Sequence, residues 1–201
     1  MPYYIRVLST SADSVSLADL QSAIERENLR ALLSSEAVAD EDWTQLSLRH
    51  TSGREIALLE RSLVEEGSPA AEELEEFADE VGECKPLKAA LWLLDYFPRV
   101  QCIYAFQILS GADYKDGWEI LGAVKNHIWS AAPSIIQADD EGFSNEDGYH
   151  ILWQFDDSVD GAWWMAVLKD GQWQPFEMNL GDQKQREAFF QSQIPRGAKL
   201  P

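Results

Sequence analysis

Residues 100–109 read VQCIYAFQIL. No other stretch of the chain combines β-branched and aromatic residues over this length without a charge, a glycine or a proline. A helix-like segment ends just before it at Pro98, and Gly111 stops it. A half-solvated strand would alternate apolar and polar residues. A run that is apolar almost throughout is the pattern of a central strand covered on both faces. The charged residues must then be arranged around it.

Upstream, Tyr3–Leu8 reads as an opening strand, and Ser16 as the N-cap of a helix over Leu17–Glu27 with Leu17, Leu20, Ala23 and Ile24 on one face. Leu29–Leu33 is a candidate strand, although its last four residues would also extend the helix. An acidic connection over 37–42 leads to Trp43–Arg49 and Glu55–Arg61, two strands joined by a turn at Thr51-Ser52-Gly53. Ser68-Pro69 starts a helix that Gly82 ends, with Ala70, Leu74, Phe77, Ala78 and Val81 as its apolar stripe. Pro86–Phe97 is a second helix leading into the central strand.

Downstream, Trp118–Trp129 carries apolar residues three or four apart and reads as a helix. Ser134–Ala138 is a short strand, and DDEGFSNEDG over 139–148 a loop. Tyr149–Phe155, Ala162–Leu168 and Trp173–Met178 read as three antiparallel strands, with Pro175 placing the last one at an edge. Asp182 caps a closing helix to about Gln191, and Ile194–Pro201 is expected to be a loosely held tail. The fold class is α+β, with antiparallel sheet and helices packed on one face. Strand, helix, strands, helix occurs in both halves, which makes two ferredoxin-like βαββ-type units in tandem one expected arrangement and a single larger sheet the other. The expected units are 1–83, which includes the acidic helix, and 84–201.

Charge is the most informative part of the composition. The chain has 35 acidic and 16 basic residues, a formal balance of −19. The excess lies in both halves, so this is not a neutral domain with an acidic tail. Such a surface repels nucleic acid and anionic membranes and attracts basic proteins or cations. Residues 65–83 alone hold nine acids and no base. Met1–Arg6 lacks a basic segment followed by an apolar one, and Ala89–Leu94 is too short to span a bilayer. A cytoplasmic setting with Cys84 and Cys102 reduced is therefore expected.

No sequence motif specifies a reaction. The loop 139–148 is rich in carboxylates, but aligning Gly148 with the EF-hand glycine puts Phe143 and Gln154 where the first and last carboxylates are needed. His50, His127, His150 and the two cysteines have no metal-ligand spacing, so neither a metal nor a cofactor is expected. No catalytic residue is assigned. Trp163 and Trp164 are adjacent and must point to opposite faces of a strand. An exposed tryptophan rimmed by Asp156, Asp157, Asp160 and Asp170 has the form of a binding hot spot for a basic partner.

In bulk character the chain resembles the small, acidic, tryptophan-rich cytoplasmic α+β proteins that neutralise bacterial toxins. The likeness is one of composition and assigns no residue a role. The first expectation is a non-catalytic protein that binds a basic protein partner through Glu72, Glu73, Glu76, Glu80, Asp139, Asp140, Glu141, Asp156, Asp157, Trp163 and Trp164. The alternative is a small-molecule sensor or enzyme with a pocket between the two units, lined by Tyr104, Trp118, Trp129 and Trp153. A structural subunit that dimerises through an edge strand is a third reading. The sequence does not specify the oligomeric state.

Overall fold

A computed structural model describes residues 2–35, 40 and 43–201. Apart from Asp40, the acidic connection at 37–42 lies outside the described residues. Along the chain run β1 (Tyr3–Ser9), α1 (Leu17–Arg26), β2 (Ala31–Ser34), β3 (Gln45–His50), β4 (Glu55–Leu63), α2 (Pro69–Val81) and α3 (Leu87–Tyr96). β5 (Cys102–Ile108), α4 (Gly117–Ala131), β6 (Ser134–Ala138) and β7 (Gly142–Ser144) follow. β8 (His150–Trp153), β9 (Ala162–Lys169), β10 (Gln172–Asn179) and α5 (Gln183–Phe190) complete the order. The protein is therefore mixed α and β, and nearly all its strand pairs are antiparallel.

The chain divides into two compact units that interleave in sequence. Unit 1 is residues 1–70 with 100–134, and unit 2 is residues 71–99 with 135–201. The sequence reading had instead divided the chain between 83 and 84. The formal charge is shared unequally: 15 acidic and 8 basic residues give unit 1 −7, and 20 acidic and 8 basic give unit 2 −12.

In unit 1, β5 lies between β1 and β4, and the sheet continues through β3 to β2. Phe106 stands opposite Ile5 on one side and Leu59 on the other. Cys102, Tyr104 and Phe106 face a core shared with Leu20 and Ile24 of α1 and Ile120, Val124 and Ile128 of α4. Both helices thus pack on one face. Ile103, which points the opposite way, is buried as well. That two-sided burial is what the unbroken apolar run demanded, and each fully buried aliphatic side chain contributes about 1.5–3 kcal/mol. Ser16 caps α1 by accepting from the Asp19 N–H at 3.0 Å.

Unit 2 departs from the sequence reading in three places. The loop at 139–148 contains β7, which pairs with β6 and β8. β8 and β9 are parallel where antiparallel strands were expected, through one registered pair, His150 and Met165. The C-terminal tail is not loose: the Lys199 and Glu177 backbones exchange both hydrogen bonds, at 2.7 and 3.0 Å, and Lys199 Nζ reaches Glu177 Oε2 at 3.2 Å. The order strand, helix, strands, helix recurs in β5, α4, β6–β10 and α5, but the two compact units interleave and do not follow the two halves, so two βαββ-type units in tandem are not what the chain forms. Its core gathers Phe155, Met165, Val167, Phe176, Met178, Leu180 and Phe189. Among the described residues no helix is long and apolar enough to cross a membrane.

Candidate functional site

All eleven residues expected to engage a basic partner fall in unit 2. Four of them lie on α2. Ala70, Leu74, Phe77 and Val81 are buried at intervals of three and four, and Phe77 meets the Phe143 ring edge-on at 5.6 Å. That anchoring directs the rest of the helix outward. Glu72, Glu75, Glu76, Asp79 and Glu80 are exposed, and none makes an ion pair with a described residue. Glu73 is half-buried and has a partner of its own.

This face is electrostatically poor for an isolated helix. Glu72/Glu76, Glu75/Asp79 and Glu76/Glu80 are like-charged i,i+4 pairs, each destabilising by about 0.2–0.5 kcal/mol. The last turn has no basic residue, and Asp79 and Glu80 sit at the negative end of the helix dipole.

Asp139, Asp140 and Glu141 form the turn between β6 and β7. Asp140 is exposed at φ 59°, while Asp139 and Glu141 are half-buried and engaged. Gly142 closes this turn at φ 118°, where a Cβ would come within 2.4 Å of the Leu152 carbonyl oxygen. Among the described residues no three histidine, cysteine, aspartate or glutamate side chains form a group able to hold a metal ion.

Asp156 and Asp157 are exposed beside Phe155. Asp156 accepts from the hydroxyl and the backbone N–H of Ser158, which holds its carboxyl below the usual range. The Asp157 carbonyl accepts from Arg186 Nη1 at 3.0 Å. Trp163 and Trp164 do point to opposite faces. Trp163 is 39% exposed with its ring edge-on to Phe155, whereas Trp164 is half-buried near Tyr149 and under Lys199. Trp163 therefore packs on Phe155, the neighbour of two exposed aspartates, and Trp164 is used in packing.

The four aromatics expected to line a shared pocket are divided between the units, Trp153 in unit 2 and the others in unit 1. Tyr104 is buried beside Trp43 and donates to the Asp13 carbonyl at 3.1 Å, and burial pushes its pKa up to about 12. Trp129 packs against the core and donates to the Ser134 carbonyl at 2.9 Å. Trp153 donates to the Phe155 carbonyl and is surrounded by Phe155, Phe190 and the Arg186 guanidinium. Trp118, on the first turn of α4, is 45% exposed. Both cysteines are free, Cys102 buried and Cys84 half-buried.

Sequence reasoning missed a cationic concavity in unit 1. Arg30, His50, Arg54, Tyr114, Lys115 and Gly117 line a cavity of about 520 Å³. The Arg54 guanidinium lies 3.7 Å from the centre of the Tyr114 ring. The pair also borders a second cavity of about 540 Å³, where Arg49 is neutralised by Glu55 at 2.8 Å. The available signal was weak: Arg49 and Arg54 flank one turn, and Lys115 precedes a helix. Compared with known protein families, with curated proteins and with solved structures, the chain matches none.

Proposed function

We propose that this protein is a non-catalytic binding protein whose acidic face in unit 2 engages a basic protein partner. The observation that carries the reading is α2. Five exposed acids without ion pairs repel one another along its solvent face, a cost that a cationic partner would relieve. Trp163, part-exposed and packed on Phe155, the neighbour of Asp156 and Asp157, supplies apolar area of the kind that concentrates affinity, and the acids of this unit speed the encounter. Neutralisation of a basic toxin in a cytoplasmic setting is the form of this reading that the composition favours.

The test is capture of a partner from host lysate at low and at high salt, with the wild-type chain and with Glu72→Lys/Glu76→Lys/Glu80→Lys. A basic protein held by the wild type, released by salt and not held by the triple variant is the expected result. A partner retained equally by both chains, or at both salt concentrations, refutes the reading.

A further inference from the structure

The cationic concavity of unit 1 does not serve a partner of positive charge, and its chemistry is opposite to that of the surface around it. Three pieces of backbone bring it together. Register between β2 and β3 sets Ala31 opposite His50, and the Thr51 N–H donates to the Arg30 carbonyl at 3.0 Å, so Arg30 and His50 share one end of the sheet. The tight turn between β3 and β4, in which the His50 N–H donates to the Arg54 carbonyl at 2.9 Å, adds Arg54. The Leu109 N–H donates to the Ile56 carbonyl at 2.9 Å, which carries the segment after β5, with Tyr114 and Lys115, over the same end.

Gly111 and Gly117 make that approach close enough. A Cβ on Gly111 would lie 2.2 Å from the Glu55 carbonyl oxygen, and one on Gly117 would lie 2.4 Å from that of Ala112. The first turn of α4 therefore forms part of the cavity wall. The Gly117 N–H donates to the Tyr114 carbonyl at 2.9 Å, but the cap, Asp116, makes no side-chain hydrogen bond to that turn, so the Trp118 and Glu119 N–H groups are left open toward an anion.

The electrostatics favour the same occupant. Arg30 and Lys115 make no ion pair with any described residue, in a unit where acids outnumber bases 15 to 8. Arg54 is held by the Tyr114 ring, which orients a guanidinium without neutralising it. Asp116 is the acid on the cavity wall, against three cations. His50 accepts at Nδ1 from the Ser52 N–H at 3.1 Å, with the Ser52 hydroxyl 2.7 Å away. The neutral ring therefore carries its proton on Nε2 and has a donor to offer. Unpaired cations gathered in a concavity raise the local concentration of anions even on a protein of negative total charge.

We infer that the cavity lined by Arg30, His50, Arg54 and Lys115 at the N-terminus of α4 binds the phosphoryl group of a phosphorylated small molecule. Three cations and a helix N-terminus match a dianion with several acceptor oxygens better than a monocarboxylate. The volume of about 520 Å³ suits a small molecule. A nucleic acid backbone would meet the −19 surface on every side. The inference does not rest on the partner-binding reading, since every residue it uses is in unit 1.

The experiment follows backbone amide shifts of the full chain by NMR during titration with inorganic phosphate, with acetate and sodium chloride at matched ionic strength as counter-probes. The expected result is saturable movement of the Trp118 and Glu119 amides with phosphate, with a Kd of about 1 mM or tighter. Arg30→Gln/Lys115→Gln weakens that binding about tenfold or more, since each replacement removes a charge-assisted contact. Lys88→Gln, at an exposed base in unit 2, leaves it unchanged. All three replaced positions are on the surface, and matching melting curves establish that the variants fold. Failure of phosphate to saturate, equal binding of acetate, or equal affinity in the double variant overturns the inference.

Discussion

His150 is buried in unit 2, and its Nε2 lies 3.1 Å from the backbone oxygen of Glu141. A nitrogen facing a carbonyl must be the donor, so the neutral ring is protonated on Nε2. Burial lowers the pKa of this imidazole from 6.5 to about 4. Between those values the unfolded chain takes up a proton that the folded chain refuses. The contribution is therefore full above pH 6.5, shrinks as the pH falls, and is gone near pH 4. Its size is on the order of 3 kcal/mol. Urea unfolding at pH 7, 5.5 and 4.5 should show the wild type losing more stability over this range than His150→Gln. Parallel losses in the two chains would place the acid sensitivity elsewhere.

Glu80→Lys should stabilise the protein. It replaces the repulsive Glu76/Glu80 pair with an attractive i,i+4 pair in the favourable orientation. It also puts a cation in the last turn of α2, where there is none. The two gains together are about 0.5–1 kcal/mol, which raises Tm by about 1–4 °C for a chain of this length. Calorimetry reads the shift directly. An unchanged or lower Tm would mean that α2 is not under the repulsion on which the partner-binding reading depends.

Gly142 and Gly171 both have positive φ, 118° and 78°, and differ in what surrounds them. A Cβ at Gly171 meets nothing within 4 Å, whereas one at Gly142 strikes the Leu152 backbone. Gly171→Ala should therefore cost only the left-handed conformation, about 1 kcal/mol. Gly142→Ala also has to move a strand, and should cost at least about twice as much. Urea midpoints at constant slope separate the two. Equal losses would show that the β7–β8 pairing yields easily at this point.

The parts of the fold that were legible in the sequence are those specified locally. The 100–109 run has no polar face, so β5 had to be central. Ser16 and Asp182 cap α1 and α5 through bonds to residues two or three positions on, and such short-range chemistry survives any tertiary context. The rest depends on partners far away in the chain. β7 is three residues between turn-forming sequences, and only its neighbours β6 and β8 make it a strand. The parallel pairing of β8 with β9 joins His150 to Met165, a register that neither strand's own residues specify. The acidic face of α2 could be read from helical spacing alone. The cationic cavity could not, because the Ala31–His50 register and the approach of the segment after β5 bring Arg30, Arg54 and Lys115 together.

The edge of unit 2 supplies the last prediction. β10 ends the strand order, and its sequence is rich in apolar residues from Trp173 to Met178. An unprotected edge of that kind is a template for pairing with another chain. Pro175 removes one donor from it. The tail protects the edge further along, because Lys199 exchanges both backbone hydrogen bonds with Glu177. Lys199→Pro deletes the N–H that bonds the Glu177 carbonyl, and with it the Lys199–Glu177 ion pair. The exposed ion pair is worth little, so the global stability should fall by only about 1–2 kcal/mol. Self-association should rise much more visibly. Light scattering across a concentration series should show the variant gaining mass while Lys199→Ala, which keeps the backbone bridge, behaves as the wild type. If the alanine variant associates equally, the side chain protects the edge; if neither does, Pro175 and the twist of the strand suffice.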